Sequence, residues 1–234
     1  MKIQSSHYTN RYVISDIHGC RKTLVRLIQR INPSSKDALF FLGDYIDRGP
    51  DSSGVLDYIM SLEQSGHNIY TLRGNHEQDF LEAEQEYEAD FFFRFVKKRL
   101  KSADLLNKSY KIRKPYKRFM QATDMFYELE DFFLVHAGFN FEKEDIFSDK
   151  SAMLHIRNQK VDLRKTEGKP VVHGHQPTYF HKIQKAAEKR KKRLPLDNGC
   201  VYKKPHKIYD TTRLGRLCCL NLNTYELIVQ DNIE

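Results

Sequence analysis

Apolar positions in the first third of the chain come in two alternating spacings. Short apolar-rich runs at Arg11–Ser15, Ala38–Leu42 and His67–Leu72 read as buried strands. Between them, Arg21–Ile31 places Leu24, Leu27, Ile28 and Ile31 at helical spacing. Ser52–Ser65 does the same with Val55, Ile59 and Leu62, with Asp51 or Ser52 as its cap. A β-α-β-α-β order predicts an α/β domain with right-handed crossovers.

The middle has a different texture. From Glu77 to about Lys101 the chain is rich in Glu, Phe, Lys and Arg and poor in Gly and Pro, which predicts a long helix or helical insert. Pro115 opens another helix towards Asp124. Phe126–Glu130 and Phe132–Val135 read as strands, followed by a short helix near Ser151–Arg157 and a strand at Pro170–His173. Val201–Tyr202, Gly215–Leu222 and Glu226–Val229 suggest a second group of strands. Lys185–Arg193 is expected as an exposed loop or helix end. No repeat of fixed period occurs. The expected organisation is one domain over 1–234 with a helical insert at about 82–125. Within that insert, Phe91, Phe92, Phe93, Arg94, Lys97, Lys98 and Arg99 are expected to pack rings into the core; a lid over a phosphorylated partner is the alternative.

Composition narrows the class. A chain of 234 residues buries enough surface to need no disulfide or structural metal. Cys20, Cys200, Cys218 and Cys219 form no CxxC pair, and the last two would face opposite sides of a strand. This pattern fits a reducing cytoplasm. Met1–Asn10 lacks a secretory apolar run, and no stretch approaches the roughly 20 apolar residues of a membrane span. The net charge of +8 is concentrated in Lys97–Arg118 and Lys182–Arg193. Solvated faces explain it, and so does an anionic partner.

Five segments share one arrangement, an apolar strand followed by metal-binding residue types and glycine. They are Asp16-Ile-His18-Gly19, Gly43-Asp44-Tyr-Ile-Asp47-Arg48-Gly49, Gly74-Asn75-His76-Glu77, Val135-His136-Ala-Gly138 and Val172-His173-Gly174-His175. Ligand sites in open α/β sheets form at the carboxyl ends of strands, where these segments are predicted to lie. Asp16 and His18, two apart in an extended segment, project to one side and suit a divalent first-row metal. Asp44 has two oxygens and can bridge two cations. Arg48 matches two phosphate oxygens at once. Asn75 offers an amide oxygen, and His76 titrates near neutrality.

The ordered series DIHG, GDYIDRG, LRGNHE, VHAG and HGHQP, from about Tyr12 to Thr178, resembles the calcineurin-like metallophosphoesterases. GDYIDRG followed by RGNHE is similar to the phosphoprotein phosphatase branch. The resemblance implies a four-layer α/β/β/α sandwich and two divalent metal ions, with manganese the expected activator and iron or zinc open. It implies that Asp16 and His18 hold the first metal, that Asp44 bridges, and that Asn75, His136 and His175 hold the second. His76, oriented by Asp47, would protonate the leaving group; Arg48 and Arg157 would clamp the phosphate. His173 is then a neighbour able to hydrogen-bond a ligand residue from behind, with Arg73 structural, Cys20 a bystander and Asp197–Cys200 a turn near the site. The eukaryotic Ser-Ala-Pro-Asn-Tyr segment is absent, His155 stands where relatives often carry tryptophan, and Asn198 stands where threonine is common. These departures point to the bacterial type.

The expected activity is hydrolysis of phosphoprotein esters, as by a serine/threonine protein phosphatase, through direct attack of a metal-bridging hydroxide. The alternative substrate is a dinucleoside polyphosphate such as diadenosine tetraphosphate, or another nucleotide. A basic nucleic-acid-binding module is the non-enzymatic alternative, disfavoured by the intact ligand set. No membrane partner is expected.

Overall fold

In a computed structural model describing residues 1–202 and 210–234, the first half follows the predicted order. It runs β1 (Arg11–Ile14), α1 (Arg21–Ile31), β2 (Ala38–Phe41), α2 (Ser52–Gln64), β3 (Asn68–Thr71). Asp51 is the cap of α2, accepting from the Gly54 N–H at 2.8 Å.

The long helix predicted from Glu77 to Lys101 is instead broken. It consists of α3 (Asn75–Glu86), α4 (Ala89–Phe95) and a π-helical turn over Val96–Leu100, with a 3₁₀ turn at Ala103–Leu105. Tyr87 and Glu88 are extended between the two helices. A straight helix of 25 residues would run roughly 37 Å away from the core. The break brings Phe92 back against Phe80, ring centroids 5.6 Å apart, and both are buried. Phe91 stays exposed and Phe93 stacks on Tyr110, so the expected ring packing holds for Phe92. The basic side chains Lys97, Lys98 and Arg99 lie in solvent.

Next come α5 (Lys114–Ala122), β4 (Phe126–Glu128), β5 (Phe133–Val135), α6 (Lys150–His155), β6 (Val171–His173), α7 (Phe180–Glu188), β7 (Arg193–Pro195), β8 (Arg216–Asn221) and β9 (Leu227–Asp231). The basic run begins as the expected helix end, since α7 continues through Lys185 to Glu188, but Arg193 opens β7. Ile183, Ala186 and Ala187 form the buried face of α7, leaving its lysines to solvent. Val201–Tyr202 is not a strand; Tyr202 donates its N–H to Gly199 in a turn instead.

One sheet has the order β3-β2-β1-β8-β9, with β1 to β3 parallel and β8 antiparallel to both neighbours. The other has the order β4-β5-β6-β7, with β5 to β7 parallel. Period-two alternation decides the layers. Val13, Phe40, Cys218 and Leu220 face Leu134, Val172 and Leu194 between the sheets. Ile14, Phe41, Leu217 and Cys219 face α1 and α2 on the outside of the first sheet. Phe133, Val135 and Val171 meet Phe139, Ile146 and Met153 outside the second. The α/β/β/α layering and the opposed faces of Cys218 and Cys219 are as expected. All four cysteines are buried and free. Among the described residues no helix is long and apolar enough to cross a membrane.

Candidate metal centre

The donors arrive at the carboxyl ends of β1, β2, β3, β5 and β6. There the backbone departs from ordinary geometry: His18, Asp44, Asp47, Arg48 and His175 all adopt left-handed φ, between 48° and 70°. Non-glycine residues reach this region only when their surroundings impose it. Glu77 is one such influence. Its carboxylate accepts from the N–H groups of Asp44 (2.9 Å), Tyr45 (2.8 Å) and Gly74 (3.0 Å), tying the loop after β2 to the start of α3. Close approach supplies another. A Cβ on Gly49 would sit 1.9 Å from the His18 carbonyl oxygen, so only glycine fits.

Asp44 is the hub. It forms one potential ligand group with His18 and His76 and a second with His136 and His175, each with ligand atoms within 4.8 Å of one another. His18 Nδ1 lies 2.8 Å from the Ile46 carbonyl and His136 Nδ1 lies 2.9 Å from that of Leu42. A carbonyl only accepts, so each Nδ1 carries a proton, and each Nε2 is the ring nitrogen turned toward the centre. The Asn75 Oδ1 lies 3.2 Å from His136 Nε2 and 3.0 Å from His175 Nδ1. Asp16 lies beside these groups; its carboxylate accepts from the Ser15 hydroxyl and the His175 N–H. Thus Asp16, His18, Asp44, Asn75, His136 and His175, spread over 160 residues of sequence, come together.

Electrostatics shows what this convergence costs. Burial and the charge of Asp44 raise the Asp16 pKa to about 6. Burial opposes charge on Asp44 too, but His136, His76, His18 and Arg48 hold its carboxylate well below the usual range. Burial and Asp44 raise Glu77 to about 7. Burial, then Arg48, keeps His18 neutral, and burial, then His136, lowers His175 to about 3. The His175 Nε2 is buried without a hydrogen-bond partner, a rare state that calls for a cause. Lone pairs of nitrogen and oxygen converging beside crowded buried carboxylates fit divalent cations.

His76 belongs to the hub and to a second arrangement. Its Nδ1 meets Asp47 Oδ2 at 2.7 Å. Burial opposes a charged ring, but Asp44 and the Asp47 hydrogen bond raise its pKa to about 9. Arg48 is exposed, with Nη1 2.7 Å from His18 Nε2 and its guanidinium 6.0 Å from the Tyr202 ring centre. Arg157 lies exposed just past α6, and His155 has its ring 6.4 Å from that of His175. His173 turns elsewhere: its Nε2 accepts from Arg193 Nε at 3.0 Å, away from the donors. Arg73 is structural, bonding Thr123, Gln78 and Gln121.

Three features carry no signal in the sequence: the Glu77 clamp, Ser52 and Ser102 behind Asp47, and the burial of Asp197 in the turn near the site. That buried carboxylate accepts from the Gly199 N–H at 2.6 Å, and burial and Asp16 raise its pKa.

Residues 10–210 match the calcineurin-like phosphoesterase family. The chain belongs to that family. Curated relatives include the symmetrical bis(5'-nucleosyl)-tetraphosphatases of Delftia acidovorans, 41% identical over 75 residues (32% of this chain and 26% of that one), and of an Escherichia coli strain, 38% identical over 71 residues (30% and 24%). The aligned stretch therefore spans about a quarter of those relatives. Similar solved structures include a protein provisionally described as a diadenosine tetraphosphatase (TM-score 0.61, 19% identity, 99% of this chain and 97% of that one). A protein serine/threonine phosphatase from Saccharomyces cerevisiae is also similar (0.63, 16%, 100% and 83%), as is a cold-active protein-tyrosine phosphatase from Shewanella (0.61, 17%, 97% and 82%). At these identities the structural likeness speaks for the fold alone. The chain has the two-sheet α/β architecture of the calcineurin-like phosphoesterase family.

Proposed function

We propose that this protein is a metal-dependent hydrolase of dinucleoside polyphosphates and that residues 1–234 act as one catalytic domain in a reducing, cytoplasmic setting. The observation that carries the hydrolase reading is the convergence of two donor groups on Asp44. The names of the curated relatives support the substrate. In this reading Asp16, His18 and Asp44 hold one cation, and Asp44, Asn75, His136 and His175 hold the other. The mixed nitrogen and oxygen set accepts manganese, iron or zinc without selecting among them, and manganese is the activator to test first. Two such cations would lower the pKa of a water and offset charge on phosphate oxygens.

The chain's own groups do the rest. Arg48 and Arg157 hold non-reacting phosphate oxygens and orient the bridge. Asp47 takes the Nδ1 proton of His76 in a hydrogen bond, which fixes the ring and keeps a proton on Nε2 near neutral pH. His76 passes that proton to the departing phosphate oxygen. A substrate with several linked phosphates suits a chain of net charge +8 with two exposed arginines at its site.

The deciding experiment gives purified manganese-loaded protein diadenosine tetraphosphate and, separately, a phosphopeptide panel. Release of two nucleoside diphosphates per tetraphosphate, faster than any phosphopeptide turnover, is the expected result. Preferred turnover of phosphopeptides would return the substrate to the phosphoprotein class. No turnover of either would overturn the substrate assignment altogether.

A further inference from the structure

The π-helical turn and Ser102 form a brace on the loop that carries Asp47 and Arg48. The turn closes with the Lys101 N–H on the Val96 carbonyl, an i to i+5 bond of 2.7 Å. The next carbonyl oxygen outside that bond, on Leu100, accepts the Arg48 N–H at 2.9 Å. Lys101 then takes a left-handed φ of 66°, which turns Ser102 inward. Ser102 is fully buried. Its hydroxyl donates to Asp47 Oδ1 at 2.6 Å, and its oxygen accepts the Asp47 N–H at 3.0 Å. Ser52 Oγ lies 2.9 Å from it and accepts the same Asp47 N–H at 3.0 Å.

A buried serine usually gives its proton to a nearby backbone carbonyl. Ser102 gives it to a carboxylate 55 residues away in sequence, on the oxygen that His76 does not use. With only Oδ2 engaged, the Asp47 carboxylate could rotate about Cβ–Cγ and carry the ring with it. With both oxygens engaged, its plane is set. We infer that Ser102 is a positioning residue that fixes Asp47 and, through it, aims His76, so that this turn of the insert is a fixed part of the proton-delivery apparatus rather than a moving cover.

The inference rests on the reading of His76 as proton donor, and leaving-group dependence tests it. Proton delivery matters for a poor leaving group such as phenolate and little for 2,4-dinitrophenolate. Ser102→Ala, loaded with manganese, is expected to lose on the order of 10-fold in kcat on phenyl phosphate. Its KM should stay within about twofold, and turnover of 2,4-dinitrophenyl phosphate should be little changed. Ser102→Thr, which restores the hydroxyl, should recover most of the rate. Should Ser102→Ala fail to fold, Ser102→Cys fills similar volume with a poor donor and carries the same expectation.

The second readout needs no turnover. The downfield imidazole N–H proton of His76 against Asp47, seen by NMR in histidine-labelled protein, should move or vanish in the alanine variant and return in the threonine variant. Equal losses on both aryl esters, or an unmoved proton signal, would overturn the role of Ser102. A wild-type protein that hydrolyses neither these esters nor diadenosine tetraphosphate, yet whose proton signal responds to Ser102, would overturn the hydrolase reading while keeping the Ser102–Asp47–His76 link.

Discussion

The two ends of the parallel strands handle buried charge in opposite ways. At the amino end, Arg11 is buried but answered: Nη1 and Nη2 meet Asp131 at 2.6 and 2.8 Å, and Nε reaches Asn223. At the carboxyl end, Asp16, Asp44, Glu77 and Asp197 crowd together, and three of the four have raised pKa values. One end is a finished structural joint. The other stays electrostatically unbalanced in the protein alone, which is the state expected where a cation belongs. Buried charge marks function when its own fold leaves it unanswered.

Substitutions can break or sharpen this contrast. The largest effect is expected at the hub. Asp44→Asn should cut manganese-dependent phosphoesterase turnover by about 10³-fold while circular dichroism stays that of the wild type. A variant with near-normal turnover would remove Asp44 from the centre. At the opposite end, Arg11→Ala should leave the rate per folded molecule unchanged and lower stability by roughly 2 kcal/mol, measured by urea unfolding. The figure is below that of a fully buried pair because the Asp131 side chain is 48% exposed.

The third change should have the opposite sign. Asp16 ionises only above about pH 6 in the fold, against roughly 3.9 when unfolded, so its charge destabilises the metal-free protein at neutral pH. Asp16→Asn should therefore raise the Tm of the metal-stripped protein at pH 7 by a few degrees, on the order of 1 kcal/mol, and weaken manganese binding. A lower Tm in the stripped variant would show that the crowding is not felt. The smallest effect belongs to Glu130. Slight burial works against its charge, but its own N–H, the Ser5 hydroxyl and the N–H groups of Ser5 and Ser6 pull its pKa to about 2. Its stabilising contribution is complete above the unfolded value near 4.3 and disappears as pH falls through 2. Glu130→Gln should flatten that part of the acid-unfolding curve and lower stability at pH 7 only slightly, because Glu130 is exposed and water screens its charge.

Which parts of this were legible beforehand follows from range. The donor clusters were readable because each follows an apolar run and holds a glycine, a local signal repeated five times, while the choice of His175 over His173 came from the family resemblance. Strand alternation likewise placed Cys218 and Cys219 on opposite faces. The break at Tyr87 has no glycine or proline to announce it; the pull of Phe92 towards Phe80 causes it, and that is a tertiary contact. The helix α7 hid behind its lysines, because two of its three buried positions are alanines that add little apolar signal. Ser102 carried no signal at all. A lone serine after a basic run looks solvated until its partner, far away along the chain, is seen beside it.

The donors come from both sheets: Asp16, His18, Asp44 and Asn75 from the first, His136 and His175 from the second. Several contacts straddle the seam, including Asn75 with His136 and His175, and His136 with the Leu42 carbonyl. Any slip of one layer over the other therefore alters every distance across that seam at once. A cavity cut far from the centre, such as Leu134→Ala in the filling between the layers, should register there as a misalignment, so the site works as a gauge of how well the sandwich is closed.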